Sequence, residues 1–288
     1  MRIVSLLPSA TEILFGIGAG AEVVGVTHEC DYPPEALHLP RLTAASAPPL
    51  HDAGAIDRHV RAAVHSGSSL YFLNNALLER LDPDLIVTQE LCAVCAVSYE
   101  LVQAAAKRLR SDIRVVSLEP ASLGDVFSTI GFLGEITGHS RDAARLVASL
   151  EARLGAFSGR TDFRTLVLEW TDPPMSAGHW IPELVEIAGG TPVLANPGSR
   201  SQRLEWSAIV RADPDAIVVA PCGFDLPTSE RATAELDALH EWRSLRAVKE
   251  RRVLVLDGNA YLSRPGPRLV DATEILAQWY TGLAEYAG

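Results

Sequence analysis

The chain states one local pattern twice. Leu81-Asp82-Pro83-Asp84-Leu85-Ile86-Val87-Thr88 returns as Ala212-Asp213-Pro214-Asp215-Ala216-Ile217-Val218-Val219. Gly18-Ala19-Gly20-Ala21-Glu22-Val23-Val24 is echoed by Ala188-Gly189-Gly190-Thr191-Pro192-Val193-Leu194. Each echo reads as a helix end, a turn and a buried strand. Two similar α/β halves within 288 residues predict two lobes, and a ligand is expected in the cleft between them.

Composition narrows the function. The hydrophobic share of 48% supplies buried cores, while a formal charge of -11 argues against nucleic acid and against an anionic membrane surface. No apolar run is long enough to span a bilayer, so no membrane insertion is expected. Met1 is followed almost at once by the apolar Ile3-Val4-Ser5-Leu6-Leu7-Pro8, without the basic and apolar regions of a signal peptide. On that reading the protein is cytoplasmic; removal of a leader is the alternative, with a periplasmic or extracellular location. The four cysteines (Cys30, Cys92, Cys95, Cys222) are too few for a disulfide scaffold.

Short apolar strands alternate with helical stretches, the pattern of a mostly parallel sheet. Strands are expected near Ile3–Leu7, Val23–Thr27, Leu85–Thr88 and Arg114–Leu118, then at Thr165–Trp170, Ala216–Ala220 and Arg252–Asp257. Helices are expected near Ser9–Gly16, Ile56–His65 and Ser98–Leu109, with Ser9 as N-cap and Glu12 at the capping-box position. Ser122 to Thr137 reads as a helix closed by Gly138, and Ser140 caps a second one to about Phe157, roughly 27 Å long. That second helix is the expected rigid connector, giving an N-terminal lobe over 1–139, the connector over 140–157 and a C-terminal lobe over 158–288. A helix from Pro182 and a last one from the Arg264-Pro265-Gly266-Pro267 turn to about Tyr280 complete the second half.

In open α/β sheets ligands bind beyond the carboxyl ends of the strands, and the unusual residues of this chain follow predicted strands. They include His28, Cys30 and Tyr32, then Glu90, Cys92 and Cys95, then Trp170, His179 and Trp180, then Cys222 and Phe224, and last Tyr261 and Arg264. Cys92-x-x-Cys95 could ligate zinc or another soft metal together with Cys30 and His28, act as a redox pair, or consist of two small buried thiols. His179 stands between Trp170 and Trp180, where a neutral imidazole could reach a metal centre. Glu183, at i+4 from His179, could reach the same ligand, or stand as a carboxylate favoured by a helix N-terminus, the preferred reading. Tyr32, Trp170, Trp180, Phe224 and Tyr261 could line a site for a large flat ligand, or pack in the core. Arg264 and Arg268 flank a helix N-terminus, which suits an anionic group or a solvated entry turn. Asp82-Pro83-Asp84 and Asp213-Pro214-Asp215 precede strands and read as turns on the opposite edge. A nucleophile elbow, a phosphate-cradling loop and an HExxH motif are all missing, so no catalytic residue is assigned.

Arg2-Ile3-Val4-Ser5-Leu6-Leu7-Pro8-Ser9-Ala10-Thr11-Glu12, Val24-Gly25-Val26-Thr27 with Cys30-Asp31-Tyr32-Pro33, Asp82-Pro83-Asp84-Leu85-Ile86-Val87 and Arg264-Pro265-Gly266-Pro267-Arg268 together resemble the cobalamin and iron-siderophore substrate-binding proteins of ABC transporters. The likeness is nearest to the cobalamin-binding branch and, through Gln89 to Tyr99, to a leaderless subgroup. It implies two Rossmann-like α/β lobes with mostly parallel sheets joined by one long helix, the helical-backbone periplasmic-binding-protein fold. It also implies a ligand held between the lobes, with little hinge motion. Members commonly carry a glutamate on each lobe that docks on permease arginines; the matching positions here are Ala76 and Ser207, with Glu79 and Glu205 nearby but out of phase. An ABC permease is therefore an expected partner whose docking glutamates are absent.

Taken together, the residues predict a non-enzymatic binder of a bulky small-molecule ligand, cobalamin or another corrinoid foremost. It would serve uptake or intracellular handling, with Pro8, Ser9, His28, Cys30, Tyr32, Glu90, Trp170, His179, Trp180, Phe224, Tyr261 and Arg264 as contacts. The alternatives are a cytosolic metal-binding or redox protein built on Cys30, Cys92, Cys95 and His28, and an iron-siderophore or haem binder.

Overall fold

The computed structural model describes residues 1–46, 52–66, 70–89, 99–109, 112–157, 161 and 163–287. The chain divides into two compact units, one of Met1–Leu50, Arg58–Pro120 and Asp125–Ala148, the other of His51–Asp57, Ala121–Gly124 and Ser149–Gly288.

The first unit builds its sheet from β1 (Ile3–Ser5), β2 (Val23–Val26), β5 (Leu85–Thr88) and β6 (Arg114–Ser117), in the order β2-β1-β5-β6 and all parallel. β3 (Thr43–Ala45) and β4 (Tyr71–Leu73) form a separate antiparallel pair. The helices are α1 (Pro8–Gly16), α2 (Ala53–Ser66), whose first turn counts with the second unit, α3 (Asn75–Leu81), α4 (Tyr99–Leu109), α5 (Leu123–Thr137), which counts with the first unit from Asp125, and α6 (Ser140–Leu154), which passes into the second unit at Ser149. Val4, Leu6 and Ile86 point from the sheet into a core closed by Leu42, Leu78 and Val102. Each is fully or almost fully buried, and removing such a side chain from water contributes about 1.5–3 kcal/mol.

The second unit repeats the plan. β7 (Arg164–Thr171), β9 (Thr191–Pro192), β11 (Ala216–Val219) and β12 (Val253–Val255) stand in the parallel order β9-β7-β11-β12. β8 (Pro174–Ser176) and β10 (Gln202–Arg203) extend one edge as antiparallel strands. The helices are α7 (Ile181–Ile187), α8 (Trp206–Ala212), α9 (Leu226–Leu236), α10 (His240–Ser244), α11 (Arg246–Lys249), α12 (Gly258–Tyr261) and α13 (Arg268–Ala287). Leu166, Leu168, Ile217 and Val219 pack against Ile209 and Trp242.

The repeat extends to single bonds. Asp82 and Asp213 end α3 and α8 at φ 39° and 40°, the left-handed region that Asp tolerates better than most residues. Two residues on, the Asp84 carboxylate accepts from the Arg2 amide at 2.8 Å and the Asp215 carboxylate from the Arg164 amide at 3.0 Å. The arginines answer in kind: Arg2 Nε donates to the Leu81 carbonyl and Arg164 Nη1 to the Asp213 carbonyl. The aspartates thus tie each helix end to the start of a central strand.

Four local expectations change. Leu7, not Ser9, is the N-cap of α1 and makes no side-chain cap, because Pro8 opens the helix with the preset φ and missing N–H that suit its first turn. Ser9 is therefore inside the helix and buried. At α6 the amides of Asp142 and Ala143 donate to the His139 carbonyl, so the helix starts after His139 rather than after a Ser140 cap. The helix ends at Leu154 rather than Phe157, just before Gly155, whose low helix propensity favours the stop; its length falls to about 22 Å. The last helix runs beyond Tyr280 to Ala287.

Candidate functional site

Each unit gathers chemistry at the carboxyl edge of its own sheet. In the first unit β1 passes through Leu6 and Leu7 into α1, placing Pro8 half-buried and Ser9 buried at the edge. The Thr11 hydroxyl donates to Ser5 Oγ at 2.8 Å and lies 3.1 Å from the Cys30 thiol, all three groups being buried. His28 follows β2. Its Nδ1 shares a 2.7 Å hydrogen bond with the Thr43 hydroxyl, its Nε2 lies 3.3 Å from Glu29, and its ring tilts against Tyr71 with centroids 5.4 Å apart. Arg41 donates to the His28 carbonyl at 2.6 Å, fixing the loop. Tyr32 is 44% exposed. Glu90, Cys92 and Cys95 lie outside the described residues, so the proposed cysteine cluster is seen only through Cys30 and His28, whose polar atoms already have protein partners. Among the described residues no group of three His, Cys, Asp or Glu side chains is placed to hold a metal ion.

In the second unit four loops are stitched into one edge. The Cys222 amide donates to the Glu169 carbonyl, joining the ends of β11 and β7. The Asn259 amide donates to the Phe224 carbonyl, joining the start of α12 to the loop after β11. A Cβ on Gly258 would stand 2.2 Å from the Pro221 carbonyl oxygen, so this approach admits only glycine. Trp180 brings in α7: its indole N–H donates to the Leu262 carbonyl at 3.0 Å.

The predicted aromatic residues separate on this edge. Trp170 and Phe224 meet with centroids 5.2 Å apart, and the Trp170 indole donates to the Asp172 carbonyl. Trp180 is 7% exposed and its polar atom is used, so it braces the edge. Tyr261 is half-buried on α12. Arg264, 5% exposed, donates to Asn259 Oδ1 at 3.0 Å. Cys222 is exposed.

His179 is half-buried and has φ 53°, a conformation a non-glycine residue holds only where its surroundings impose it. Its amide donates to the Ser199 carbonyl at 2.6 Å, and its own carbonyl accepts from the Gly198 amide. The ring lies 5.5 Å from that of Trp180, and Nδ1 is buried with no hydrogen-bond partner. Burial first, and the positive charge of Arg200 second, hold its pKa below the ordinary histidine value. The neutral imidazole is the form that can coordinate a metal. Glu183 does not join His179: its carboxylate accepts from the Leu123 amide at 3.2 Å, at the start of α5.

Sequence reasoning missed Thr43, Arg200 and Asn259, which hold or tune His28, His179 and Arg264 respectively. Asn259 was in reach, two residues before Tyr261 in the segment that follows β12 and opens α12. Thr43 and Arg200 carry no local signal, since their partners lie fifteen and twenty-one residues away.

The periplasmic binding protein family model matches residues 3–260. An uncharacterized ABC transporter substrate-binding lipoprotein, YvrC of Bacillus subtilis, is 25% identical over 96% of this chain and 79% of its own length. The vitamin B12-binding protein of Vibrio cholerae is 25% identical over 95% of this chain and 86% of its own. The periplasmic heme-binding protein RhuT from Roseiflexus sp. RS-1 superimposes with a TM-score of 0.70 at 23% identity, covering 97% of each chain. These findings overturn the cytoplasmic location expected from the first residues: the matching family is one of periplasmic binding proteins, the Bacillus subtilis relative is named a lipoprotein and the Roseiflexus protein a periplasmic one, all pointing outside the cytoplasm. The chain belongs to the periplasmic binding protein family, a class of solute-binding proteins with the two-lobed α/β fold.

Proposed function

We propose that this protein is the substrate-binding component of an ABC uptake system for a bulky metal-centred ligand, a corrinoid such as cobalamin foremost. Loops at the carboxyl edge of the second unit's sheet would supply contacts. The observation that carries the reading is His179: a neutral imidazole with an unpartnered buried Nδ1, held at φ 53° on the edge that also presents Trp170. The named role of the Vibrio cholerae relative supports the corrinoid. Trp170 would stack on the macrocycle, and Arg264 would hold a polar tip through charge-assisted hydrogen bonds. At the corresponding edge of the first unit Pro8, Ser9 and Tyr32 would offer contacts of their own, whereas Cys30 and His28 would shape the loop through their protein partners. A permease would be met without glutamates at Ala76 and Ser207, both exposed on α3 and α8, so long-range steering to it would be weak.

Haem is the second reading. It is favoured by Arg264, a buried cation at the same edge suited to a carboxylate. Titration of the purified protein with hydroxocobalamin and, separately, with haem tests both, followed by visible absorbance. One-to-one saturation with a shifted corrin spectrum that His179→Ala abolishes supports the leading reading. Saturation by haem alone moves the assignment to the second, and no saturation by either removes both.

A further inference from the structure

The two halves differ most where α2 stands. Residues 27–74 separate β2 from α3, whereas residues 193–205 separate the equivalent β9 and α8. The excursion leaves and rejoins one hairpin, which closes its own base: the Ser46 amide donates to the Leu70 carbonyl at 2.9 Å beside the β3–β4 pair. The hairpin therefore does not need α2 to hold it. The first turn of α2 counts with the second unit, and the helix from Arg58 onward counts with the first. That first turn lies on the aromatic face described above. Ala53, 1% exposed, packs against Phe224 and Ala232, with Ile56 and Trp170 at the margin. Asp57 meets Arg203 of β10 at 2.9 Å. The turn is locally complete, for the Asp52 carboxylate accepts from the Ala55 amide and its carbonyl from the Ile56 amide.

We propose that the first turn of α2 is a displaceable cover over the Trp170–Phe224 face, latched by the Asp57–Arg203 ion pair. The part of this inference that concerns ligand rests on the reading of that face given above. A flat ligand cannot stack on Phe224 while Ala53 occupies its surface. The contacts that hold it include the Ala53 methyl group, Ile56 at the margin and an ion pair whose arginine is 43% exposed. Ion pairs of that kind hold weakly, so the cover yields to a ligand that buries more aromatic surface. Closure then lowers the observed affinity in proportion to the uncovered fraction.

The test compares the wild type with Asp57→Arg, Arg203→Asp and the charge-swapped double variant. Amide hydrogen exchange over Ala53–Asp57 and fluorescence of anilinonaphthalene sulfonate are read without ligand; affinity for hydroxocobalamin and haem is read by titration. Each single variant is expected to raise exchange and dye fluorescence several-fold and to tighten binding about two- to five-fold, with the double variant returning toward wild type. Unchanged exchange and dye signal overturn the cover. So does faster exchange with weaker binding, which would make the turn a wall of the site. If the wild type binds neither probe, the functional reading fails separately, and exchange with dye decides the cover: raised signals sustain it and unchanged signals remove it.

Discussion

His179 shows how one residue's surroundings set its chemistry. Its depressed pKa means that the unfolded chain binds a proton more readily than the folded one. Stability therefore rises with pH from the folded pKa up to the ordinary histidine value near 6.5, and is flat above it. Nuclear magnetic resonance titration should place the His179 midpoint below 6.5, and Arg200→Ala should move it only partway up, because burial outweighs the arginine. His179→Gln should flatten the stability slope in that window; an unchanged slope would count against burial of the imidazole. Tyr280 is the contrasting case. Burial pushes its phenol up, its hydroxyl donates to Thr165 Oγ1 at 2.8 Å, and its ring fills the space that a side chain at Gly190 would need. Tyr280→Phe should cost about 0.5–1.5 kcal/mol in urea unfolding, at the modest end because Thr165 keeps its own bond to the Phe163 carbonyl.

Between elements, the clearest electrostatic joint ties α6 to α13. Arg153 donates to both oxygens of Glu274 at 2.7 Å and to Asp271 at 2.5 Å. The arginine is the main cause of the lowered Glu274 pKa, and Glu274 with Asp271 raises that of Arg153. With 32–39% of each side chain exposed, solvent screens the joint. Arg153→Met should cost about 0.5–1 kcal/mol at neutral pH and low salt. The loss should shrink in high salt and fade as pH falls through the lowered Glu274 value, since a depressed carboxylate stabilises only while ionised. A salt-independent loss would point to packing instead. Elements of this size were legible where they were long or strongly patterned: the parallel strands other than β9, and α5, lie close to their expected spans. β8, β9 and β10, at two or three residues each, are too short to show alternation. The candidate site was legible as a set of loops. Which of its side chains face a ligand was not, because the bonds of Cys30 to Thr11 and Trp180 to Leu262 depend on partners distant in sequence.

At the scale of the whole molecule the internal repeat makes a prediction that neither unit makes alone. Asp84 and Asp215 perform the same task in separate units, each accepting from the amide that begins a central strand. Asp84→Ala and Asp215→Ala should each cost about 1 kcal/mol, the worth of a partly exposed hydrogen bond to a charged acceptor. The Asp215 loss should include a salt-sensitive part, because that carboxylate also pairs with Arg246. As the two aspartates bond to different amides in separate units, the double variant should lose the sum within about 0.5 kcal/mol. Hydrogen exchange should divide the effects, with protection falling in β1 and β5 for Asp84→Ala and in β7 and β11 for Asp215→Ala. The turn that first marked the chain as duplicated would then be the clasp of two similar sheets, each anchored from within its own unit. Exchange rising in both sheets from either single substitution would show instead that the units lose structure together, and the repeat would describe their ancestry of form without describing their stability.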